Sequence, residues 1–105
     1  PRYRPSGFRL SYLERTIDLL KENGDVFLVR MPFEFELYEL TDTLAPDFDR
    51  KMKSVAEKHS VRYISFWKNT SNYKTTDGVH LYKVEGERIS RDICDSIKLY
   101  LCPKE

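Results

Sequence analysis

The first third of the chain changes from helical spacing of apolar residues to a continuous apolar run. Ser11 and Glu14 have the spacing of a helix-capping box, and Asn23-Gly24 is typical of a helix end. Between them the apolar residues recur every three or four positions: Leu13, Ile17 and Leu20. This pattern predicts a helix over about residues 11 to 23. The apolar run from Val26 to Met31 stops at a proline and predicts a strand that is buried on both faces.

The middle of the chain predicts a second helix and a second strand after a segment without a clear period. Residues 33 to 46 are aromatic and acidic, and we expect them to form a loop with at most a helical turn. Pro46-Asp47 suits the first turn of a helix, which we expect to end near His59 and to bury Phe48, Met52, Val55 and Ala56. The alternating segment from Val61 to Phe66 predicts the second strand.

The last third combines a long polar loop with a helix. Residues 67 to 80, WKNTSNYKTTDGVH, are rich in turn-forming residues, and loops of this length often carry function. The segment from about Gly86 to Leu101 predicts a helix, because one stripe of apolar residues recurs every four positions: Ile89, Ile93, Ile97 and Leu101.

The order helix, strand, helix, strand, long loop, helix is typical of an α/β protein with a parallel sheet. It predicts a three-layer α/β/α architecture of the flavodoxin-like type, with helices on both faces of the sheet. Two strands alone leave both sheet edges unpaired and form a marginally stable sheet. We therefore expect residues 1 to 105 to be a single α/β domain. This domain is either the C-terminal portion of a larger one or a subunit that completes its sheet by association.

Charge and composition exclude several classes of function. Eighteen Lys and Arg residues against 17 Asp and Glu leave a net charge of +1, so no overall field favours nucleic acid or an anionic membrane. No run of 18 apolar residues is present, which argues against membrane insertion. The four glycines form no phosphate-binding motif, and no cluster of His, Cys or carboxylate residues has metal-ligand spacing. We therefore expect no cofactor and no metal, and the cellular compartment stays open.

Three further features favour structural interpretations. The acidic stretch from Glu34 to Asp49 contains no basic residue and is interpreted as a solvated rim. Cys94 and Cys102 lie eight residues apart, roughly 12 Å along a helix, which is too far for a disulfide and predicts two free thiols packing the last helix. His59 is interpreted as a solvated or capping histidine at the end of the second helix.

One short motif in the long loop carries candidate chemistry. Asp77 and His80 lie three residues apart in the turn Asp-Gly-Val-His, so their side chains can meet. In a Ser-His-Asp triad the imidazole accepts the proton of the nucleophile, while the carboxylate fixes the tautomer of the ring and stabilises the imidazolium. Sites in open α/β sheets gather at the carboxyl ends of strands, where this loop begins. The alternative interpretation is an ordinary Asp-Gly turn followed by a surface histidine.

The segment Asp77-Gly-Val-His80-Leu81 resembles the D-x-x-H block of the SGNH/GDSL hydrolase superfamily. The patterns from Leu13 to Pro32 and from Phe48 to Phe66 resemble the second half of that family's three-layer fold. This resemblance implies a serine esterase or acyltransferase in which His80 is the general base and Asp77 orients it. It also implies that the substrate is a small-molecule or carbohydrate O-acyl ester.

The nucleophile of that family has no counterpart in this chain. In the family the catalytic serine lies in a Gly-Asp-Ser motif near the start of the domain, and no serine here follows Gly-Asp. The resemblance therefore implies that this chain is the C-terminal portion of an SGNH-like domain, which contributes the Asp-His pair and is inactive by itself. The alternative from a different functional class is a non-catalytic α/β module that forms a homo-oligomer through its sheet edges.

Three aromatic residues border the loop: Trp67, Tyr73 and Tyr82. One interpretation is that they wall a substrate pocket, where an aromatic ring can stack on an apolar or sugar group. The other interpretation is that they belong to the core and rim of the domain.

Overall fold

Four helices and two strands form the regular structure of the described residues. The computed structural model describes residues 6–68, 73–77 and 80–101 of the 105. Within these ranges the elements are α1 Gly7–Lys21, β1 Phe27–Arg30, α2 Phe35–Leu44, α3 Phe48–Lys58, β2 Arg62–Ser65 and α4 Lys83–Leu101.

The architecture is mostly helical, and the prediction of a three-layer α/β/α, flavodoxin-like fold is wrong. The described residues are 63% helical, and their sheet contains only β1 and β2. The largest local difference lies at residues 33 to 46, where the sequence predicts a loop and the structure has α2. Its helical period is obscured because several of its apolar side chains face solvent: Phe35, Leu40 and Leu44.

The two strands are parallel neighbours, and their existence is confirmed. The prediction that β1 is buried on both faces is wrong, because each of its four residues is only partly buried. The register runs from Phe27 beside Arg62 to Arg30 beside Ser65. The Phe66 N–H donates to the Arg30 carbonyl at 2.9 Å and extends the ladder beyond β2. Parallel pairing brings the carboxyl ends of both strands to one edge of the sheet, and the long loop leaves from this edge.

One face of the sheet packs against α4. The buried cluster there contains Ile64, Phe66, Tyr73 and Ile89, and further apolar residues pack against it: Phe27, Val29, Leu81, Ile93 and Ile97. The predicted stripe is therefore confirmed for three of its four isoleucine and leucine positions, whereas Leu101 is exposed. The helix begins at Lys83, before the predicted start near Gly86, so this glycine lies inside it.

Helices α1 and α3 complete the described structure. The side chain of Ser6 caps α1 by accepting a hydrogen bond from the Arg9 N–H at 3.4 Å, so the predicted start at Ser11 is wrong. Ile17 is the buried residue of α1. α3 buries Met52 and Ala56 and packs against β2, as its apolar spacing predicts.

Candidate functional site

Asp77 and His80 form a pair on the loop that follows β2. The Nδ1 atom of His80 lies 2.6 Å from Oδ2 of Asp77, and the His80 backbone N–H donates to Oδ1 at 2.8 Å. The carboxylate therefore holds the ring and the main chain of the same residue. With the proton on Nδ1, the lone pair of Nε2 is directed away from the carboxylate and can accept a proton. This is the relation between a general base and the acid that orients it.

A short antiparallel bridge closes the loop beneath this pair. Thr75 pairs with Leu81 across the bridge. The Thr76 N–H donates to the His80 carbonyl at 2.8 Å, and the Thr76 hydroxyl donates to the same oxygen at 3.3 Å. The backbone of His80 is thus held on both sides, so the position of the ring does not depend on the carboxylate alone.

Tyr73 anchors the start of the loop in the core. Its ring is buried and meets the ring of Phe66 edge-on, with 6.1 Å between the centroids. Its hydroxyl donates to Asp92 of α4. Burial and, next, the Asp92 carboxylate raise the pKa of Tyr73 to about 12. The hydroxyl therefore stays protonated near neutral pH and ties the loop to α4.

The Asp-His pair faces solvent. The side chain of His80 is 78% exposed and that of Asp77 is 53% exposed. Among the described residues, no side chain makes a hydrogen bond to Nε2 of His80. The hydroxyl of Ser65 donates to Asp49, and that of Ser90 donates to a carbonyl within α4. The described residues thus bring together a base and its orienting acid without a nucleophile. Gly78 and Val79 lie outside them.

The three aromatic residues that border the loop have different environments. Trp67 is 2% exposed and packs between aromatic rings, with centroid distances of 5.2 Å to Phe33 and 5.0 Å to Tyr38. Its indole Nε1 is buried and has no hydrogen-bond partner in the described part of the chain. Tyr73 is buried as well, whereas Tyr82 is half exposed. The packing gives Trp67 and Tyr73 a role in the core, and a substrate wall built from the three rings stays a prediction.

A polar cluster around Asp49 lies outside the predicted site. Its Oδ1 atom accepts hydrogen bonds from the hydroxyls of Tyr63 at 2.5 Å and Ser65 at 3.0 Å, and from Arg30 at 3.1 Å. Burial raises the pKa of Asp49, but these three hydrogen bonds outweigh it and hold the pKa below its ordinary value. Asp49 is therefore a partly buried carboxylate that is bonded to the sheet, and not a freely solvated member of an acidic rim. The alternation of β2 places Tyr63 and Ser65 on one face, which is the signal that sequence reasoning could have used.

A second cluster joins α1 to the end of α3. Nε2 of His59 lies 2.8 Å from Oε1 of Glu14, and Nδ1 lies 2.9 Å from Oδ1 of Asp18. Lys58 reaches the same Glu14 oxygen at 2.8 Å, and Lys21 donates to the His59 carbonyl. The His59 side chain is only 12% exposed, so it is not a solvated histidine. The alternative interpretation as a capping histidine is confirmed, because His59 is the C-cap residue of α3.

The remaining candidate groups add no further chemistry. Cys94 is a free, exposed thiol, so it does not pack the last helix, and Cys102 lies outside the described residues. No group of three His, Cys, Asp or Glu residues in the described ranges could hold a metal ion. No helix within residues 6–68, 73–77 and 80–101 has the length and hydropathy needed to cross a bilayer.

Comparison with known protein families, with curated proteins and with solved structures finds no match to this chain. The resemblance to the SGNH/GDSL hydrolases therefore rests on the Asp77 to Leu81 motif and its position after a strand. Any function has to be argued from the geometry of the site.

Proposed function

We propose that this chain supplies the acid-base pair of a serine esterase or acyltransferase of the SGNH type. The observation that carries the proposal is the 2.6 Å contact between Nδ1 of His80 and the Asp77 carboxylate. Its position supports the proposal, because the loop leaves from the carboxyl edge of two parallel strands. The solvent exposure of His80 also supports it, since a base must be reached by substrate.

The proposed reaction is acyl transfer in two steps. Nε2 of His80 accepts the proton of a serine hydroxyl as the serine oxygen attacks the acyl carbonyl of an ester. His80 then gives this proton to the departing alcohol, which leaves an acyl-enzyme. Water or a second hydroxyl repeats the same steps and releases the acyl group. Asp77 keeps the proton on Nδ1 and stabilises the imidazolium. The serine and the oxyanion hole come from residues outside the described ranges.

The proposal is tested by covalent labelling of the full natural polypeptide with a fluorophosphonate, which reacts with an activated serine. We expect one labelled serine, located by mass spectrometry, together with hydrolysis of small aryl esters. His80→Ala is expected to reduce labelling and turnover by roughly two to four orders of magnitude, because general acid-base catalysis is lost. Asp77→Asn is expected to reduce both, because the ring loses its orienting acceptor.

His59→Gln is the matched control, since the chain has only two histidines. It removes an imidazole that contacts α1 and lies in a different cluster from the Asp-His pair. We expect its ester turnover per folded molecule to equal that of the unmodified protein. Unchanged turnover in His80→Ala, or the absence of any labelled serine, would show that the proposed role is wrong.

A non-catalytic module that self-associates is the second candidate function. The observation that favours it is the two-stranded sheet, because each described strand pairs only with the other and has one open edge. An unpaired strand edge is a template for pairing with another chain. In this case Asp77 only shapes its turn through the hydrogen bond from the His80 N–H. A mass in solution above that of one chain, without ester cleavage that depends on His80, supports this candidate over the first.

A further inference from the structure

An apolar cavity of about 450 Å³ lies between α1, β1, α2 and α3, and it takes no part in the chemistry proposed for the loop. Each of these elements, or the segment next to it, contributes to its wall. The apolar lining includes Leu13, Leu28, Met31, Phe33, Ala45 and Met52. Its volume is in the range of small-molecule sites, about 300–1,000 Å³.

The charge in the cavity wall is already neutralised. Arg30 is the one charged residue among its described lining residues. Its guanidinium is bound to Asp49 at 3.1 Å and lies over the rings of Phe48 and Trp67, at 4.4 and 3.7 Å from their centroids. Tyr63, which also lines the cavity, donates its hydroxyl to the same carboxylate. A charged ligand group inside the cavity would therefore find no free counter-charge, and its desolvation would go uncompensated.

We infer that this cavity binds an uncharged hydrocarbon chain. An apolar cavity of this kind is a poor site for water, because a water molecule needs two to four polar partners. A volume in the range of small-molecule sites has room for a saturated chain of medium length with its polar end outside. The inference does not depend on the proposed role of His80.

Binding of primary alcohols to the full natural polypeptide tests the inference. Trp67 is the single tryptophan of the sequence, and Arg30 and Phe33 of the cavity wall contact it. Its fluorescence therefore reports on occupancy, and titration calorimetry gives the stoichiometry. We expect one molecule of hexanol, octanol, decanol or dodecanol to bind per chain, each measured below its solubility limit. From hexanol to decanol the affinity should rise about fourfold per methylene, the factor for transfer out of water.

Variants that fill the cavity give the second arm of the test. Ala45→Phe and Thr41→Phe add bulk at two different lining positions. Each is expected to weaken decanol binding by at least about tenfold. Leu40→Phe is the matched control, because this side chain on α2 is exposed and does not line the cavity. Circular dichroism confirms that each variant is folded. If both filling variants fail to fold, the dependence of affinity on chain length in the unmodified protein decides the question.

Three results would overturn the inference. The first is the absence of saturable binding of decanol. The second is binding of several molecules per chain, which indicates non-specific adsorption to exposed apolar surface. The third is a folded filling variant that binds decanol as tightly as Leu40→Phe does. Loss of ester cleavage in His80→Ala with unchanged decanol binding separates this site from the proposed catalytic pair.

Discussion

At the scale of single residues, His59 shows how one imidazole joins two helices. Each of its ring nitrogens faces a carboxylate of α1, Glu14 on one side and Asp18 on the other. Both nitrogens must carry a proton to donate to both carboxylates, so this geometry favours the imidazolium. The hydrogen bond to Glu14 and, next, the one to Asp18 raise the pKa of His59 above its ordinary value of 6.5. The hydrogen bonds from Lys58 and then His59 lower the pKa of Glu14 below 4.5.

These shifts predict how the stability of the protein depends on pH. A raised pKa in the folded state means that His59 contributes stability fully below pH 6.5, and that this contribution is lost as the pH rises through the raised pKa. Glu14 contributes above its ordinary pKa of 4.5 and loses its contribution as the pH falls through its lowered pKa. The cluster therefore stabilises the fold most between pH 4.5 and 6.5. Urea unfolding at a series of pH values measures this profile.

Two histidine variants separate the contributions to that profile. In His59→Gln we expect the loss of stability above pH 6.5 to become shallower, because the group that deprotonates there is absent. His80→Gln removes the other histidine of the chain and is the control. A profile that keeps its full slope in His59→Gln would show that the contacts of His59 with α1 do not stabilise the fold.

At the scale of elements, Asp49 joins the first turn of α3 to both strands of the sheet. Its Oδ1 atom accepts from Arg30 of β1 and from Tyr63 and Ser65 of β2. Asp49→Asn removes the charge that balances the guanidinium of Arg30, whose side chain is only 12% exposed, and we expect it to lower the free energy of unfolding by about 1–3 kcal/mol. Ser65→Ala removes one of three hydrogen bonds and is expected to lower it by about 1 kcal/mol. Denaturant titration at neutral pH measures both changes.

Asp47→Asn is the control for this prediction on the same segment. Asp47 pairs with Arg50 on the surface, where the side chains are 46% and 75% exposed. Exposed pairs of this kind contribute little, so we expect a change within about 0.5 kcal/mol. If Asp49→Asn has no larger effect than Asp47→Asn, the cluster does not hold α3 on the sheet.

The elements that sequence reasoning predicted are those with apolar residues in or against the interior. α1, α3, α4 and β2 each bury at least one apolar residue, and Phe27 and Val29 of β1 pack against the core. Residues 33 to 46 lack this signal, because α2 has no fully buried residue. Its apolar residues include the exposed Phe35 and Leu40, which obscure the helical period. Ser11 and Glu14 have the spacing of a capping box but do not mark the start of α1. The Glu14 side chain does not cap the helix, because it binds His59 and Lys58.

In the candidate site, only the contact between residues close in sequence could be predicted. Asp77 and His80 are close in sequence, so a local turn brings them together and their contact could be predicted. The Asp49 and His59 clusters join residues that are distant in sequence, and their geometry depends on how helices dock on the sheet and on each other. Burial of Trp67 depends on α2, since Tyr38 packs on its ring. If residues 33 to 46 are taken as a loop, nothing in the sequence indicates what covers the Trp67 ring. The ring can then be predicted to line a pocket.

At the scale of the whole molecule, the chain exposes more surface than a folded protein of its mass usually does. Its accessible surface is 7983 Å², whereas about 6,200 Å² is expected for 12.5 kDa. Part of this exposed surface is an apolar stripe on α1: Phe8, Tyr12 and Leu19 are exposed and spaced four and seven residues apart, so they share one face. Ile17, the buried residue of α1, lies on the opposite face.

This stripe predicts that two copies of the chain associate through α1. Light scattering of the natural polypeptide should give a mass that rises from that of one copy towards twice that value as the concentration increases, because burial of the stripe gains apolar contact. Leu19→Lys places a charge in the stripe and is expected to weaken association by at least about tenfold. Leu40→Lys makes the same replacement at an exposed position of α2 and should leave association unchanged. The mass of one copy at every concentration excludes association. Equal weakening by both variants would show that the interface is not formed by α1.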